Sequence, residues 1–393
     1  MRPGPPPAAD RAQLVHAAAP WWRAERERLL GLVRDGEPRY VYHLPTLVEQ
    51  ARRLRTTLRS VTHLYYAMKA NAKAEILSAL AQEGYGVECV SAAEVRHARS
   101  VLGPGVPMLF TPSFCPVEEY LAALDAGAEV VVDGAEALAL APATFRGRSI
   151  GLRIDPGQGR GHHQKVRTAG PRAKFGCAVA DIDAVRAATA RAGSRIVGLH
   201  AHVGSGILDP DAWTETGRAL AELVEAFPDL AWLDVGGGLG VPSRPGQSGL
   251  DLERVERGLA GLRPKLGALA LRLEPGRFLV SEAGVLVSPV TQVRTKGGVR
   301  FVGVAVGMNA LVRPALYGAW HGIHNLSRLD EAPGDPCHVV GPICESADVL
   351  GHDRPLPETQ AGDVLLIENV GAYGFAMASS YNLRPPPSEV VLP

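Results

Sequence analysis

The chain has 393 residues, with 41 basic and 41 acidic side chains, and 46% of it is hydrophobic. This length predicts two or three domains, and the balanced charge argues against the basic surface that nucleic-acid binding requires. No apolar run reaches the ~18–20 residues that span a bilayer. No cleavage site follows the short apolar stretch Leu14–Trp22, so we expect neither a membrane segment nor a signal peptide.

The first ten residues are rich in proline and are expected to be disordered. The five cysteines are scattered through the chain without the spacing of a metal site, and no metal is expected. Their odd number in a long chain favours reduced thiols and a cytoplasmic location. These cysteines are Cys89, Cys115, Cys177, Cys337 and Cys344.

Eight short β-type runs alternate with helical patterns in the middle of the chain. The predicted strands are His63–Met68, Gly86–Val90, Val106–Phe110, Glu129–Val132, Ile150–Ile154, Ile196–Val203, Leu230–Val235 and Leu269–Leu273. The helices between them include Glu75–Gln82, Ala92–Leu102, Val117–Ala126, Ala180–Ala192 and Asp211–Phe227. This alternation predicts βαβ units and a parallel sheet. Eight units fit a closed (β/α)₈ barrel of about 250 residues, here residues 45–273; a doubly wound open sheet is the alternative and would need two strands fewer.

After residue 275 strand-like runs dominate, which predicts a second, all-β domain over residues 274–393. The runs are Gly284–Val287, Thr291–Arg294, Phe301–Val306, Cys337–Val340, Val364–Ile367 and Glu389–Leu392. Residues 1–44 form an N-terminal segment, and its Tyr40–Tyr42 run is expected to pair with this β domain in part.

The residues that follow each predicted strand are the candidates for chemistry, because barrel active sites lie at the carboxyl ends of the strands. Lys69 follows the first strand in a chain where arginine greatly outnumbers lysine. A lysine amine can form a Schiff base with an aldehyde, which a guanidinium cannot. His202 and Ser205 follow the sixth strand, where an imidazole can stack on a ring and a hydroxyl can hold an anion.

Two further groups follow the last two strands. The run Gly236–Gly240 exposes backbone N–H groups of the kind that bind phosphate. Glu274 can hold a proton on a heterocyclic nitrogen, and Arg277 can bind a phosphate or carboxylate. Each feature alone also fits a structural role: a solvent-reaching lysine, a packed histidine, a tight turn or a salt bridge. Together they supply the amine, ring, phosphate loop and carboxylate that bind pyridoxal 5'-phosphate (PLP).

An ordered set of motifs along nearly the whole chain resembles the fold-type III PLP-dependent decarboxylases, and within them the diaminopimelate decarboxylases. The motifs are Tyr66–Asn71, His202–Ser205, Gly236–Gly240, Glu274–Arg277, Met308–Asn309, Arg313–Tyr317, Gly341–Ser346 and Gly371–Gly374. Two segments, Trp21–Arg26 and Asp155–His163, are especially similar to the decarboxylase half of bifunctional aspartate kinase/diaminopimelate decarboxylases. The resemblance implies an alanine racemase-like barrel with a C-terminal β domain.

The resemblance also implies a role for each matching residue toward PLP. Lys69 is expected to hold the cofactor covalently, His202 to stack on its pyridine ring, and Glu274 to pair with its ring nitrogen. The other expected cofactor contacts are Ser205, Gly237, Gly238, the backbone of Gly276 and Arg277, and Tyr373.

For the substrate, the resemblance implies that Arg277, Arg313 and Tyr317 hold the distal carboxylate. Glu345 is expected to face the distal ammonium, and Tyr373 to contact the substrate as well. Cys344 is expected to donate a proton in the active site of the other subunit, which implies a homodimer with shared sites. The implied reaction is decarboxylation of meso-2,6-diaminopimelate to L-lysine.

Departures from the family pattern keep other functions open. Gly206 stands where Gln is usual, Glu88 where Asp is common, and Asn369–Val370 where Asp-Ala is usual; the run before Met308 lacks acidic residues. The alternatives are a PLP-dependent decarboxylase of another diamino acid or specialised-metabolite amino acid, and a non-catalytic PLP carrier. A racemase is also conceivable, but that class places Arg rather than a carboxylate opposite the pyridine nitrogen.

Overall fold

The computed structural model describes residues 19–161, 163 and 167–393. The first ten residues, which we predicted to be disordered, lie outside the described residues. So does His162 of the Asp155–His163 segment. The strands of three or more residues are β1 (Arg39–His43), β2 (His63–Ala67), β3 (Gly86–Cys89), β4 (Met108–Phe110), β5 (Glu129–Val132), β6 (Ser149–Asp155), β7 (Arg195–His200), β8 (Trp232–Asp234), β9 (Ala270–Leu273), β10 (Gly284–Lys296), β11 (Val299–Val304), β12 (Ile323–Asn325), β13 (Cys337–Val340), β14 (Val349–Arg354), β15 (Val364–Ile367) and β16 (Ser388–Leu392).

The helices of the described chain lie mostly between the barrel strands. They are α1 (Trp21–Ala24), α2 (Arg26–Leu32), α3 (Leu44–Thr57), α4 (Ala74–Gln82), α5 (Ala92–Leu102), α6 (Val117–Asp125), α7 (Ala135–Leu140), α8 (Pro142–Phe145), α9 (Ile182–Ala192), α10 (Ala212–Ala221), α11 (Leu252–Ala260), α12 (Arg263–Leu266), α13 (Arg277–Val280) and α14 (Arg313–Tyr317). The predicted helix Asp211–Phe227 is shorter than expected, because its last turns become a separate 3₁₀ turn, Val224–Ala226.

Strands β2 to β9 form a closed parallel barrel. Each pairs with the next in order, and β9 pairs with β2, so no edge is left open. All eight predicted strands are present, which confirms the (β/α)₈ barrel and excludes the open sheet. The barrel interior is filled: a Cβ at Gly198 would lie 2.0 Å from the Trp232 ring, and Arg272 stacks 4.2 Å from the same ring. A filled interior leaves the strand ends as the place for a site.

A second sheet of eight strands lies outside the barrel and packs against it. Its longest strand, β10, pairs with β1, β11 and β15, and β1 pairs in parallel with β16. The Tyr40–Tyr42 run therefore lies in this sheet although it precedes the barrel in sequence. The runs predicted at Gly284–Val287 and Thr291–Arg294 form one strand, β10, with an irregularity between Val290 and Gln292.

Two strands of this sheet were not predicted. Strand β12 has only three residues, and β14 ends in the polar run Gly-His-Asp-Arg, so neither shows an apolar alternation. In the described part of the chain, no helix is both long and apolar enough to cross a bilayer.

Candidate active site

Lys69 lies in a 3₁₀ turn, Met68–Ala70, directly after β2. Its Nζ donates to both carboxylate oxygens of Glu88, at 2.6 and 2.8 Å, and Glu88 on β3 is fully buried and also accepts from Thr111 Oγ1. Burial lowers the pKa of Lys69, but the negative charges of Glu88 and Glu274 outweigh it, so that pKa lies above its ordinary value. Glu88 therefore stabilises the charged form of the amine and fixes its position with two hydrogen bonds.

Glu274 follows β9 and is 4% exposed. Its Oε2 lies 3.3 Å from His200 Nε2, while its Oε1 is buried with no hydrogen-bond partner among the described residues. Burial and the charge of Glu88 raise the pKa of Glu274 to about 8. The site thus holds a buried acceptor with a high affinity for a proton.

The imidazole of His202 is held by the glycine-rich loop. Its Nδ1 accepts from the Gly237 backbone N–H at 3.1 Å. Burial and the nearby charges of Arg153 and Lys69 lower the pKa of His202 well below its ordinary value. The ring is therefore neutral, with its proton on Nε2, and its orientation is set by the backbone.

The glycines after β8 allow two loops to touch. A Cβ at Gly237 would lie 2.0 Å from the Glu274 carbonyl oxygen, and one at Gly238 would lie 2.3 Å from the Gly204 carbonyl oxygen. Gly238 also has a φ of +91°, which disfavours any side chain. Only glycine fits this approach, which brings Ser205 and the β8 loop to one face. Gly276 is similarly crowded, with Ala67 3.1 Å from a Cβ.

Two buried arginines lie at the other side of this face. Arg277 donates from Nη2 to Ser205 Oγ at 2.9 Å, and its guanidinium stacks 4.8 Å from the Tyr373 ring. Arg313 donates from Nη1 to His321 Nε2 at 3.2 Å. They are 9% and 7% exposed, and among the described residues neither forms a salt bridge with a carboxylate. Burial and the charge of Arg277 lower the pKa of Arg313 to about 10.

A histidine that we did not predict orients Arg313. His321 Nδ1 lies 2.8 Å from the Glu368 carbonyl oxygen, which can only accept, so Nδ1 carries the proton and Nε2 is free to accept from Arg313. Burial lowers the pKa of His321 to about 3, which keeps it neutral. Tyr317 lies close enough to influence the pKa of both arginines. No local sequence signal marks His321.

Asp234 and Arg153 were also missed. Asp234 is fully buried at the end of β8, and Arg153 is 7% exposed on β6, 4.0 Å from Asp133 Oδ1. The signal that could have found them is a charged residue inside an apolar strand, which rarely occurs without a polar partner.

Cys344 and Glu345 are not brought to this face by contacts within the described chain. Both are exposed. The backbone N–H of Cys344 donates to Asn382 Oδ1 at 3.0 Å, and Asn382 lies in the C-terminal part of the chain rather than in the barrel.

Comparison with known proteins agrees with this geometry. Residues 44–281 match the family described as pyridoxal-dependent decarboxylase, pyridoxal binding domain. The diaminopimelate decarboxylase of Methanothermobacter thermautotrophicus is 35% identical over 91% of this chain and 87% of its own length. The chain belongs to the diaminopimelate decarboxylase family. It is accordingly a PLP-dependent decarboxylase, as its motifs predicted.

Solved structures similar to this chain share its fold. The diaminopimelate decarboxylase from Helicobacter pylori, complexed with L-lysine, is 32% identical with a TM-score of 0.82, covering 91% of each chain. An SrLDC mutant in complex with PLP is 26% identical with the same TM-score of 0.82, covering 93% of this chain and 94% of its own.

The residues of this site fit PLP. Lys69 supplies an amine, and the neutral His202 ring presents a flat face fixed by the Gly237 N–H. The unpartnered Glu274 Oε1 is the acceptor that a protonated pyridine nitrogen requires. The crowded glycines at 237 and 238 leave backbone next to Ser205, where no side chain could intrude on a phosphate.

Proposed function

We propose that this enzyme removes carbon dioxide from meso-2,6-diaminopimelate, at its D-configured centre, to give L-lysine. The observation that carries the proposal is the pair of buried arginines, Arg277 and Arg313, without a carboxylate partner among the described residues. A buried cation without a counter-ion is costly, so the site favours a substrate with a second carboxylate. The relatives named diaminopimelate decarboxylase, one of them complexed with L-lysine, support the same substrate.

Each residue of the site would have its own role in binding the cofactor. Lys69 would hold PLP, with Glu88 fixing the position of its amine, while His202 would lie against the ring. Ser205, Gly237, Gly238, and the backbone of Gly276 and Arg277 would bind the phosphate. Tyr373 would contact both cofactor and substrate, since its ring packs on Arg277.

Bound PLP supplies an electron sink, which its pyridine ring provides most effectively when protonated. Glu274 would keep that proton in place by accepting it as a hydrogen bond at its unpartnered Oε1 atom, since the positive pyridinium and the negative carboxylate stabilise each other. Arg313, held by His321, would bind the distal carboxylate together with Arg277 and Tyr317. These contacts would leave the D centre as the only reacting end.

The remaining two groups would come from a second copy of the chain. Cys344 would return a proton to the carbon that lost carbon dioxide, and Glu345 would face the distal ammonium. Both are exposed in the single chain, as a homodimer with shared active sites requires. The five cysteines are all free, which suits a reducing cytoplasm.

A substrate panel tests the proposal. Carbon dioxide release is measured with meso-2,6-diaminopimelate, L-lysine and L-ornithine, for the wild type, Arg313→Met and the matched control Arg300→Met, which changes a half-buried arginine of β11 that bonds to the Thr359 carbonyl. We expect the wild type to prefer diaminopimelate, and Arg313→Met to lose at least about 10²-fold in kcat/KM for it, because the distal carboxylate loses its partner. Arg300→Met should resemble the wild type. A wild-type preference for L-lysine or L-ornithine would refute the proposal and favour the decarboxylase of another diamino acid.

A further inference from the structure

Next to Glu274 lie two buried titratable side chains that the proposed function does not use, His200 and Asp234. One polar atom of each of the three residues lies within 4.8 Å of those of the other two. Their exposures are 4% for Glu274, 1% for His200 and 0% for Asp234. Each has a buried atom with no hydrogen-bond partner among the described residues: Glu274 Oε1, His200 Nδ1 and Asp234 Oδ2. Buried polar atoms are nearly always paired, so three together indicate a function.

The protonation of this cluster follows from its geometry. His200 Nε2 faces Glu274 Oε2 at 3.3 Å, so these two atoms share one hydrogen bond, and the Oε2 atom of Glu274 is occupied by it. Burial lowers the pKa of His200 to about 4, so the ring is neutral. Asp234 Oδ1 accepts from the Gly236 N–H at 2.8 Å, which leaves Oδ2 as its only unpaired atom.

The two carboxyl groups influence each other. Burial and the charge of Glu274 raise the pKa of Asp234 to about 7, and burial and the charge of Glu88 raise that of Glu274 to about 8. Two carboxyl groups so close in a buried site do not ionise independently. When both are ionised, each strengthens the attraction of the other for a positive charge or a proton.

We propose that Asp234 is a positioning residue that acts together with Glu274: its carboxylate lies beside that of Glu274 in the buried cluster, and the two negative charges together stabilise a proton on the pyridine nitrogen of bound PLP. His200 completes the unit by holding the Glu274 Oε2 atom, which leaves Oε1 for that nitrogen. Once the pH exceeds the pKa of Asp234, its negative charge adds to that of Glu274, and the pyridine proton leaves only at a higher pH. The inference does not depend on which amino acid is decarboxylated.

Other charges face the same unit from the neighbouring strands and their ends. They are Lys69, Glu88, Arg153 and Arg272, and the neutral ring of His202 lies beside them. All of them remain in a variant changed only at Asp234. A change in such a variant therefore reports the charge of Asp234 itself.

The test measures the protonation of the cofactor nitrogen directly. The holoenzyme is loaded with PLP labelled with ¹⁵N in its pyridine ring, and the ¹⁵N chemical shift is followed from pH 6 to 10 by solid-state NMR. In Asp234→Asn, which cannot ionise, we expect the midpoint of deprotonation to fall by about one to two pH units relative to the wild type. Asp234→Ser introduces a smaller uncharged side chain that can still accept from the Gly236 N–H, and it is expected to show the same decrease. This second variant keeps the test valid if the asparagine amide at position 234 cannot be accommodated in the buried cluster.

The matched control is Asp133→Asn, which removes a carboxylate that follows β5, three strands away from β8 in the barrel, and that makes no contact with Glu274. Its midpoint should stay at the wild-type value. An unchanged or higher midpoint in the Asp234 variants would overturn the inference, and so would an equal decrease in Asp133→Asn. A purely structural role of Asp234 would lower PLP occupancy or thermal stability without moving this midpoint.

Discussion

At the scale of single residues, the amine of Lys69 is matched by a carboxylate before any substrate binds. Lys69 Nζ lies 2.6 Å from Glu88 Oε2, and Glu88 also accepts from Thr111 Oγ1. The side chain of Glu88 reaches the amine with both of its carboxylate oxygens. This contact keeps the amine at the barrel mouth and stabilises its positive charge.

The first prediction concerns Lys69. Lys69→Ala should abolish the absorbance of covalently held PLP and lower kcat/KM by about 10³-fold or more, because no other amine among the described residues contacts Glu88. The measurement is the absorption spectrum with PLP, followed by the decarboxylation assay.

Lys73→Ala is the control for this prediction. Lys73 lies four residues away, and its Nζ is 4.0 Å from Glu389 rather than close to Glu88. Its spectrum and rate should stay close to the wild type. Wild-type turnover in Lys69→Ala would contradict the role of Lys69.

At the scale of elements, the site exists because two loops approach each other closely. The loop after β8 and the loop after β7 are joined by the Ile207 N–H, which donates to the Gly238 carbonyl at 2.9 Å. Trp213 on α10 adds a second link, since its Nε1 donates to the Gly237 carbonyl at 2.9 Å. These bonds hold the backbone N–H groups and the His202 ring in one arrangement.

The second prediction concerns this approach. In Gly237→Ala the new Cβ would lie 2.0 Å from the Glu274 carbonyl oxygen, so two strand ends must move apart. We expect the free energy of unfolding to fall by about 3 kcal/mol and the affinity for PLP to fall at least tenfold. Urea unfolding of the apo-protein and PLP titration measure the two effects.

The control for the loop is Gly31→Ala in α2, where a Cβ meets no atom within 4 Å. Alanine should leave stability unchanged or raise it by up to about 1 kcal/mol. PLP affinity equal to the wild type in Gly237→Ala would show that the close approach does not shape the cofactor site.

At the scale of the whole molecule, the barrel and the sheet must both contribute to one site. Within one chain they already meet: the Tyr373 N–H donates to the Ala70 carbonyl at 2.8 Å, and Asn71 Nδ2 donates to the Gly371 carbonyl at 3.0 Å. Cys344 and Glu345, in contrast, are exposed. The proposed homodimer would bring them to the barrel of the other copy.

The third prediction tests this sharing. Lys69→Ala and Cys344→Ala, each inactive alone, are mixed, dissociated and reassociated. Half of the dimers should then be mixed, and each of these should contain one intact site, so roughly a quarter of wild-type activity should return. The readout is decarboxylation per subunit together with the mass of the assembly.

Mixing Lys69→Ala with Glu274→Gln is the control, because both residues belong to the same barrel and every mixed dimer would lack an intact site. No activity should return. No recovery with Cys344→Ala would place Cys344 in the site of its own chain, and recovery in the control would show that Lys69 and Glu274 do not belong to the same site.

The sequence by itself determined the eight barrel strands, the chemistry at their ends and the family. Strand period, glycine runs and the rare lysine are local properties. They can be recognised in the sequence without knowing which residues lie close together in the fold. What only the tertiary structure decided is which charges meet. The contacts of Lys69 with Glu88, of Glu274 with His200, and of Arg313 with His321 depend on how strand ends and loops converge, which no local pattern encodes. The short strands β12 and β14 were missed for the same reason, since pairing with β15 and β13 rather than their own composition stabilises them.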